Sequence, residues 1–153
     1  MKIYKGTEIM NVIDIMDEII YKSSLCSVFD NDEHHYRELV EDFPELLNGM
    51  ICYMADDCKS YMFISTDYND YSICVAMWAS IDNNVSFKQT LQYFNALRDL
   101  YKGMTNKVSI RANCRTTTSL PVINKLDGRR GIKVTYRSPE CYGFVDIVME
   151  CEI

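Results

Sequence analysis

Residues 71–100 decide the fold: YSICVAMWAS (71–80), IDNNV (81–85) and SFKQTLQYFNALRDL (86–100). The first segment alternates Ile73, Val75, Met77 and Ala79 with Cys74, Ala76 and Trp78, so both faces are apolar. That pattern predicts a strand covered on both sides. The last segment sets Phe87, Leu91, Phe94, Leu97 and Tyr101 at helical spacing and predicts an amphipathic helix over about 85–102. Ser86 with Gln89 three residues on reads as a capping box. A strand that runs into a capped helix leaves free backbone N–H groups at the turn, a place able to hold an anion.

Outward from that unit, the 153 residues are enough for one domain with a real core. Gly and Pro are scarce, 6 and 3, which predicts regular elements with short connections. The start, MKIYKGTEIM, lacks an apolar signal core and no apolar run approaches a membrane span, which places the chain in the cytoplasm. The 7 cysteines show no C-x-x-C spacing and read as reduced, mostly buried thiols. Charge is split: residues 1–80 carry 5 Lys/Arg against 15 Asp/Glu, and residues 81–153 carry 11 against 7. A net charge of −6 argues against general nucleic-acid binding, whereas a phosphate-bearing ligand would favour the second half.

In chain order, Lys2–Lys5 reads as a short edge strand. A first helix follows over about 8–23, capped by Thr7, with the stripe Ile9, Val12, Ile13, Met16 and Ile20. A second helix is capped at Asp30 or Asn31 and is interrupted by Pro44 before Asn48-Gly49. Met50–Ala55, Lys59–Thr66 and Tyr71–Ser80 are separated by Asp/Asn turns and read as an antiparallel meander. After the central helix come a strand over Lys107–Ala112, parallel to Tyr71–Ser80, a short helix over Ser119–Leu126, and a hairpin of Ile132–Arg137 with Tyr142–Glu150. The fold class is α+β, in the order β-α-α-β-β-β-α-β-α-β-β with a mixed central sheet.

That order and these lengths resemble the GNAT superfamily, the GCN5-related N-acetyltransferases, over nearly the whole chain. The resemblance implies that acetyl-CoA or CoA is held by the central strand and following helix. It implies too that Lys107–Ala112 splays from its neighbour to open the cleft, and that Ser119–Leu126 borders it. The family's pyrophosphate loop, Arg/Gln-x-x-Gly-x-Gly/Ala, corresponds here to SIDNNVSFK (80–88), which has no glycine and carries Asp82. Asn83, Asn84, Val85 and Ser86 are its cofactor candidates, with Arg129 and Arg130 as further phosphate candidates. Asn113 occupies the place of an Asn frequent after the fifth strand. Asn124 stands nearest the place of the Tyr that protonates the departing thiolate, a role no amide can fill. Such degraded domains resemble GNAT-like proteins of tailed bacteriophages.

Two functions of different class follow. One is a phage-type accessory protein that binds a host or virion protein through the acidic first helices, with Asp14, Asp17, Glu18, Glu38, Glu41 and Asp42 as the docking residues. The other is an acetyl-CoA-dependent N-acetyltransferase acting on a free amine. A homodimer through the C-terminal hairpin is a further partner arrangement that nothing in the sequence fixes. Glu33-His34-His35 carries no metal: adjacent histidines point about 100° apart on a helix.

Overall fold

The computed structural model describes residues 1–23, 37, 40–81 and 87–153. The elements are β1 (Lys2–Lys5), a 3-10 turn (Gly6–Val12), α1 (Ile13–Lys22), a 3-10 turn (Pro44–Leu47), β2 (Met50–Met54), β3 (Ser60–Asp67), β4 (Ser72–Ser80), α2 (Phe87–Tyr101), β5 (Lys107–Arg115), α3 (Ser119–Leu126), β6 (Ile132–Arg137) and β7 (Phe144–Glu152). The class is α+β with a mixed sheet, as the sequence order predicts. Most of the second predicted helix, with the His34-His35 pair, lies outside the described residues, but Arg37 and 40–42 are helical. Among the described residues, no helix is long and apolar enough to cross a membrane.

Two compact units divide the chain. The first takes residues 1–65 and 76–83, and the second takes 66–75 and 84–153. In the first, β1, β2 and β3 pair antiparallel in sequence order, and Ile81 N–H donates to Lys59 C=O at 2.8 Å. Its core gathers Ile9, Val12, Ile13, Met16 and Ile19 against Val40, Leu47, Cys52, Met54, Tyr61, Phe63 and Ala79. The expected first helix over 8–23 is two pieces, because Val12, at φ −122° and ψ 5°, separates the 3-10 start from α1. Thr7 is not its cap. The Glu8 carboxylate instead accepts the Lys5 N–H at 3.0 Å. Pro44 opens a separate 3-10 turn, where its missing N–H leaves no bond unmade.

In the second unit the order is β4-β5-β7-β6. β5 and β7 pair antiparallel along nine residues, Lys107–Arg115 with Glu152–Phe144. The hairpin turns at Tyr142-Gly143, φ 50° and 80°, with Cys141 and Phe144 exchanging both backbone bonds at 2.8 and 3.0 Å. A two-residue turn demands positive φ at both centres, so β7 starts at Phe144 rather than at the predicted Tyr142. Asp67 and Asp70 shape the β3–β4 turn, accepting the N–H groups of Asn69 and Ser72 at 2.8 and 3.0 Å.

Two sequence expectations fail here. The buried stripe of α2 is Thr90, Tyr93, Phe94, Leu97 and Tyr101; Phe87 is exposed and Leu91 half-buried. The helix is rotated so that a hydroxyl and a phenol, rather than those two apolar residues, face the sheet. Nor is β4 covered on both faces, since Cys74 and Ala76 are exposed and Trp78 half-buried. Its apolar composition marks small residues on an open face and not a second packed layer.

Tyr101 is fully buried beneath Tyr68 and Tyr71, ring centroids 5.8 and 6.2 Å away, and its hydroxyl has no partner among the described residues. Burial first, then Tyr68, Asp67 and Asp70, push its phenol up to about 12 from 10. A proton held more tightly in the folded state gives stability that is full below the unfolded value and lost as pH passes from 10 to 12. Tyr101→Phe removes the orphan hydroxyl, and denaturant unfolding should find it equal to the wild type at neutral pH or better by about 1 kcal/mol. It should lose less stability above pH 10. A marked loss at neutral pH would mean that the hydroxyl is bonded in solution.

Candidate cofactor site

β5 is held unequally. Against its nine pairs with β7, its parallel ladder with β4 has three: Ser72–Ser109, Ile73–Ile110 and Cys74–Arg111. The next pair in register, Val75 with Ala112, is not made among the described residues.

The two helices of this unit start at the same end of the sheet, because each follows a strand of one parallel pair. At its far end α2 is anchored by Arg98. The Nε donates to Glu152 C=O at 2.9 Å, Nη1 to Asn95 Oδ1 at 3.2 Å, and Nη2 to Arg130 C=O. Arg98 therefore marks the flank of α2 that faces the chain leaving α3. Leu91 and Phe87, seven and eleven residues earlier, fall within about 20° of it around the helix axis. The two apolar residues that miss the buried stripe line this flank.

α3 has its rotation fixed by three side chains. Arg137 on β6 donates Nη1 to Asn124 Oδ1 at 2.7 Å and Nη2 to Asp127 Oδ2 at 3.0 Å. Asp127 Oδ1 also accepts the Val134 N–H at 2.8 Å. Val122, Ile123 and Leu126 are buried against the sheet. Asn124 and Asp127 are bonded to Arg137 of β6, and Lys125, about 100° further around α3, is exposed. At the head of α3, Ser119 Oγ accepts the Arg115 N–H at 2.9 Å and closes the end of β5. Burial pushes the neighbouring Cys114 thiol up to about 11.

The residues singled out in the sequence do not converge. Asn83, Asn84, Val85, Ser86 and Glu38 lie outside the described residues. Asn113 donates Nδ2 to Asp146 Oδ1 at 2.6 Å, directly across the β5–β7 ladder on its exposed face. Asn124 is turned to β6, away from the β4 side where a departing thiolate is expected. Arg129 and Arg130 are exposed, but the Arg130 backbone is tied to Arg98, roughly 16 Å along α2 from Phe87. A pyrophosphate at the head of α2 is beyond that loop.

In the first unit, Arg37 gathers three of the acids: Nη2 to Asp14 at 2.7 Å, Nε to Glu41 at 3.0 Å, and Nη1 to Asp17. Those carboxylates hold the Arg37 guanidinium above its usual pKa. Glu18 pairs with Lys22 at 2.5 Å, and Asp42 is exposed. The six described cysteines are free thiols, with Cys52, Cys114 and Cys151 buried and Cys74 and Cys141 exposed. Among the described residues no cluster of His, Cys, Asp and Glu could hold a metal.

No protein-family model matches the chain, and no curated protein does. Among solved structures it is similar to the aminoglycoside 6'-N-acetyltransferase from Enterococcus faecium, with TM-score 0.62 and 10% identity over 99% of this chain and 97% of that one. It is similar also to a GNAT-family acetyltransferase from Bacillus anthracis, TM-score 0.53 and 13% identity over 98% and 93%. A Bacillus subtilis acetyltransferase in complex with CoA gives TM-score 0.51 and 10% identity over 90% and 92%. At such identities the likeness is one of fold.

If Asp127 fixes the setting of α3, Asp127→Ala should lower unfolding stability by about 1 kcal/mol, having lost a bond to the half-buried Val134 N–H and one to the exposed Arg137. Arg137→Met should lower it less, since the Val134 N–H keeps its acceptor. Equal stability of Asp127→Ala and wild type in urea would contradict the clamp.

Proposed function

We propose that this chain, which has the GNAT acetyltransferase fold, binds an acyl-coenzyme A thioester where β5 parts from β4 and passes the acyl group to an amine. The observation that carries the reading is the three-pair ladder. Val75 and Ala112, next in register, form no pair among the described residues. An amide-bearing pantetheine arm suits a ladder that stops there, since amides can bond to a strand as an added strand does. The residues that precede α2 in sequence, Asn83, Asn84, Val85 and Ser86, would meet the pyrophosphate.

In the transfer, the amine nitrogen attacks the thioester carbonyl, the C–S bond breaks, coenzyme A leaves as thiolate and the amine gives up a proton. Neither Asn113 nor Asn124 can carry that proton. Asp56, an acid in the β2–β3 turn, is held below the usual carboxylate range by the chain's amino-terminal ammonium, 2.5 Å away, and makes a poor base. Water is the proton acceptor consistent with the described residues.

A second reading is supported by the loop SIDNNVSFK: without glycine and with Asp82, it is a poor phosphate cradle. On that reading the chain is a phage-type accessory protein on a GNAT scaffold that binds a host or virion protein in the cytoplasm. Its acidic docking set is weakened by Arg37, which already engages Asp14, Asp17 and Glu41.

Calorimetric titration with acetyl-CoA and CoA separates the two. The acyl-transfer reading expects micromolar binding, about −8 kcal/mol. Absence of heat at millimolar ligand would overturn it and leave the protein-binding reading.

A further inference from the structure

We infer that the amine this chain acylates also carries a carboxylate, as an α-amino acid does, and that Arg111 on β5 holds that carboxylate while Asp146 on β7 faces the amine. The inference rests on the acyl-transfer reading above and adds the chemical class of the acceptor.

Arg111 and Cys74 form the last rung of the β4–β5 ladder, and Val75 with Ala112 is the first rung not made among the described residues. Strand alternation sends Arg111 to the face opposite buried Ile110. Its partner in register, Cys74, is exposed on that face. Asn113 and Asp146, paired with each other across the β5–β7 ladder, are exposed there too. Asn113 is two residues past Arg111, roughly 7 Å along the strand. The group thus borders the place where the ladder stops.

Three cations share this face of β5 at four-residue intervals: Lys107, Arg111 and Arg115. Lys107 Nζ is bonded to Glu150 at 3.1 Å, and Arg115 lies over the Phe144 ring at 5.5 Å. The Arg111 guanidinium, between them, makes no hydrogen bond or ion pair among the described residues. Straight across from it on β7 is Val148, which offers no charge, and the acids diagonal to it are Glu150 and Asp146. Glu150 is taken by Lys107, while Asp146 Oδ1 accepts Asn113 Nδ2 at 2.6 Å and keeps its charge uncompensated.

A cation and an anion are left, roughly 7–8 Å apart as diagonal neighbours on a sheet. A plain anion would be repelled by Asp146, and a polyamine by Arg111; like charges brought together count against both. An amine with a carboxylate close by meets an opposite charge at each end. The guanidinium also matches a carboxylate with two parallel N–H···O bonds, a geometry that an uncharged carboxamide cannot return. Asp146 draws the ammonium form to the face, and the transfer step is the one given above.

The test is acetyl transfer by the full chain from acetyl-CoA to the common α-amino acids and to their carboxamides, read by mass spectrometry of the N-acetyl product. CoA affinity is measured beside it by calorimetry. The acids should exceed their carboxamides in kcat/KM by about ten-fold, the value of one charge-assisted pair. Arg111→Gln should bring the two together by raising KM for the acids at little cost in kcat, and Arg111→Lys should restore part of the difference. Both variants should keep the wild-type CoA affinity and thermal unfolding, since the side chain is exposed. Equal kcat/KM for acids and carboxamides would overturn the inference while leaving the acyl-transfer reading intact. So would a preference that survives Arg111→Gln, or a loss of CoA affinity in that variant, which would put the guanidinium on the cofactor. CoA binding without transfer to either set would overturn the inference and leave the coenzyme A site standing. Failure of wild type to bind CoA would overturn both.

Discussion

β5 is the strand on which the second unit depends, because its two edges are held so differently. Nine antiparallel pairs bind it to β7, and three parallel pairs bind it to β4. The long ladder ties it to β7 along its whole length, and the short one ties it to β4 at three pairs among the described residues. A β5 paired fully on both sides would close the edge. One without β7 would carry unsatisfied backbone groups on both edges, each of them costly when buried. The helices then fit round that strand: α2 returns the chain to begin β5, and Ser119 of α3 caps the point where β5 ends.

Side chains, rather than the helix stripes, fix how α2 and α3 are turned. Arg98 joins α2 to the carbonyls of Glu152 and Arg130, and Arg137 joins β6 to Asn124 and Asp127. Each is a long side chain whose planar guanidinium can satisfy acceptors on two elements at once. Gly131 lets the α3–β6 loop come close, since a Cβ there would lie 3.0 Å from Glu152 Cβ and its φ is 72°. In the first unit Arg37 plays the same part and bonds Asp14 and Asp17 of α1 together with Glu41. A run of acids that reads as a docking face in sequence is in part the wall of an ion cluster.

What could be read from sequence was what is local. The bounds of α3, the Asp-based turns at 57 and 67–70, and the parallel relation of β4 and β5 follow from caps, turn residues and crossover rules. Direction was not legible. Helical spacing admits both Leu91 and Thr90 as core positions, and packing chose Thr90 with Tyr93. The apolar run in β4 does not say whether one face or both is covered, and Cys74 proved exposed. The same limit explains the site. Asn124 stands at the expected place in the sequence but faces β6, and the turn toward β6 is set by Arg137, which is remote in sequence.

The most direct measurement is amide chemical-shift mapping of the chain during addition of acetyl-CoA. If the β4 side of β5 and the start of α2 form one ligand site, the shifted amides should cluster at Val75, Ala112 and Asn113 and at Phe87 to Leu91. The Arg129–Arg130 loop and the acids around Arg37 should stay still. Shifts confined to that loop or to α1, or no shifts at saturating ligand, would contradict the account.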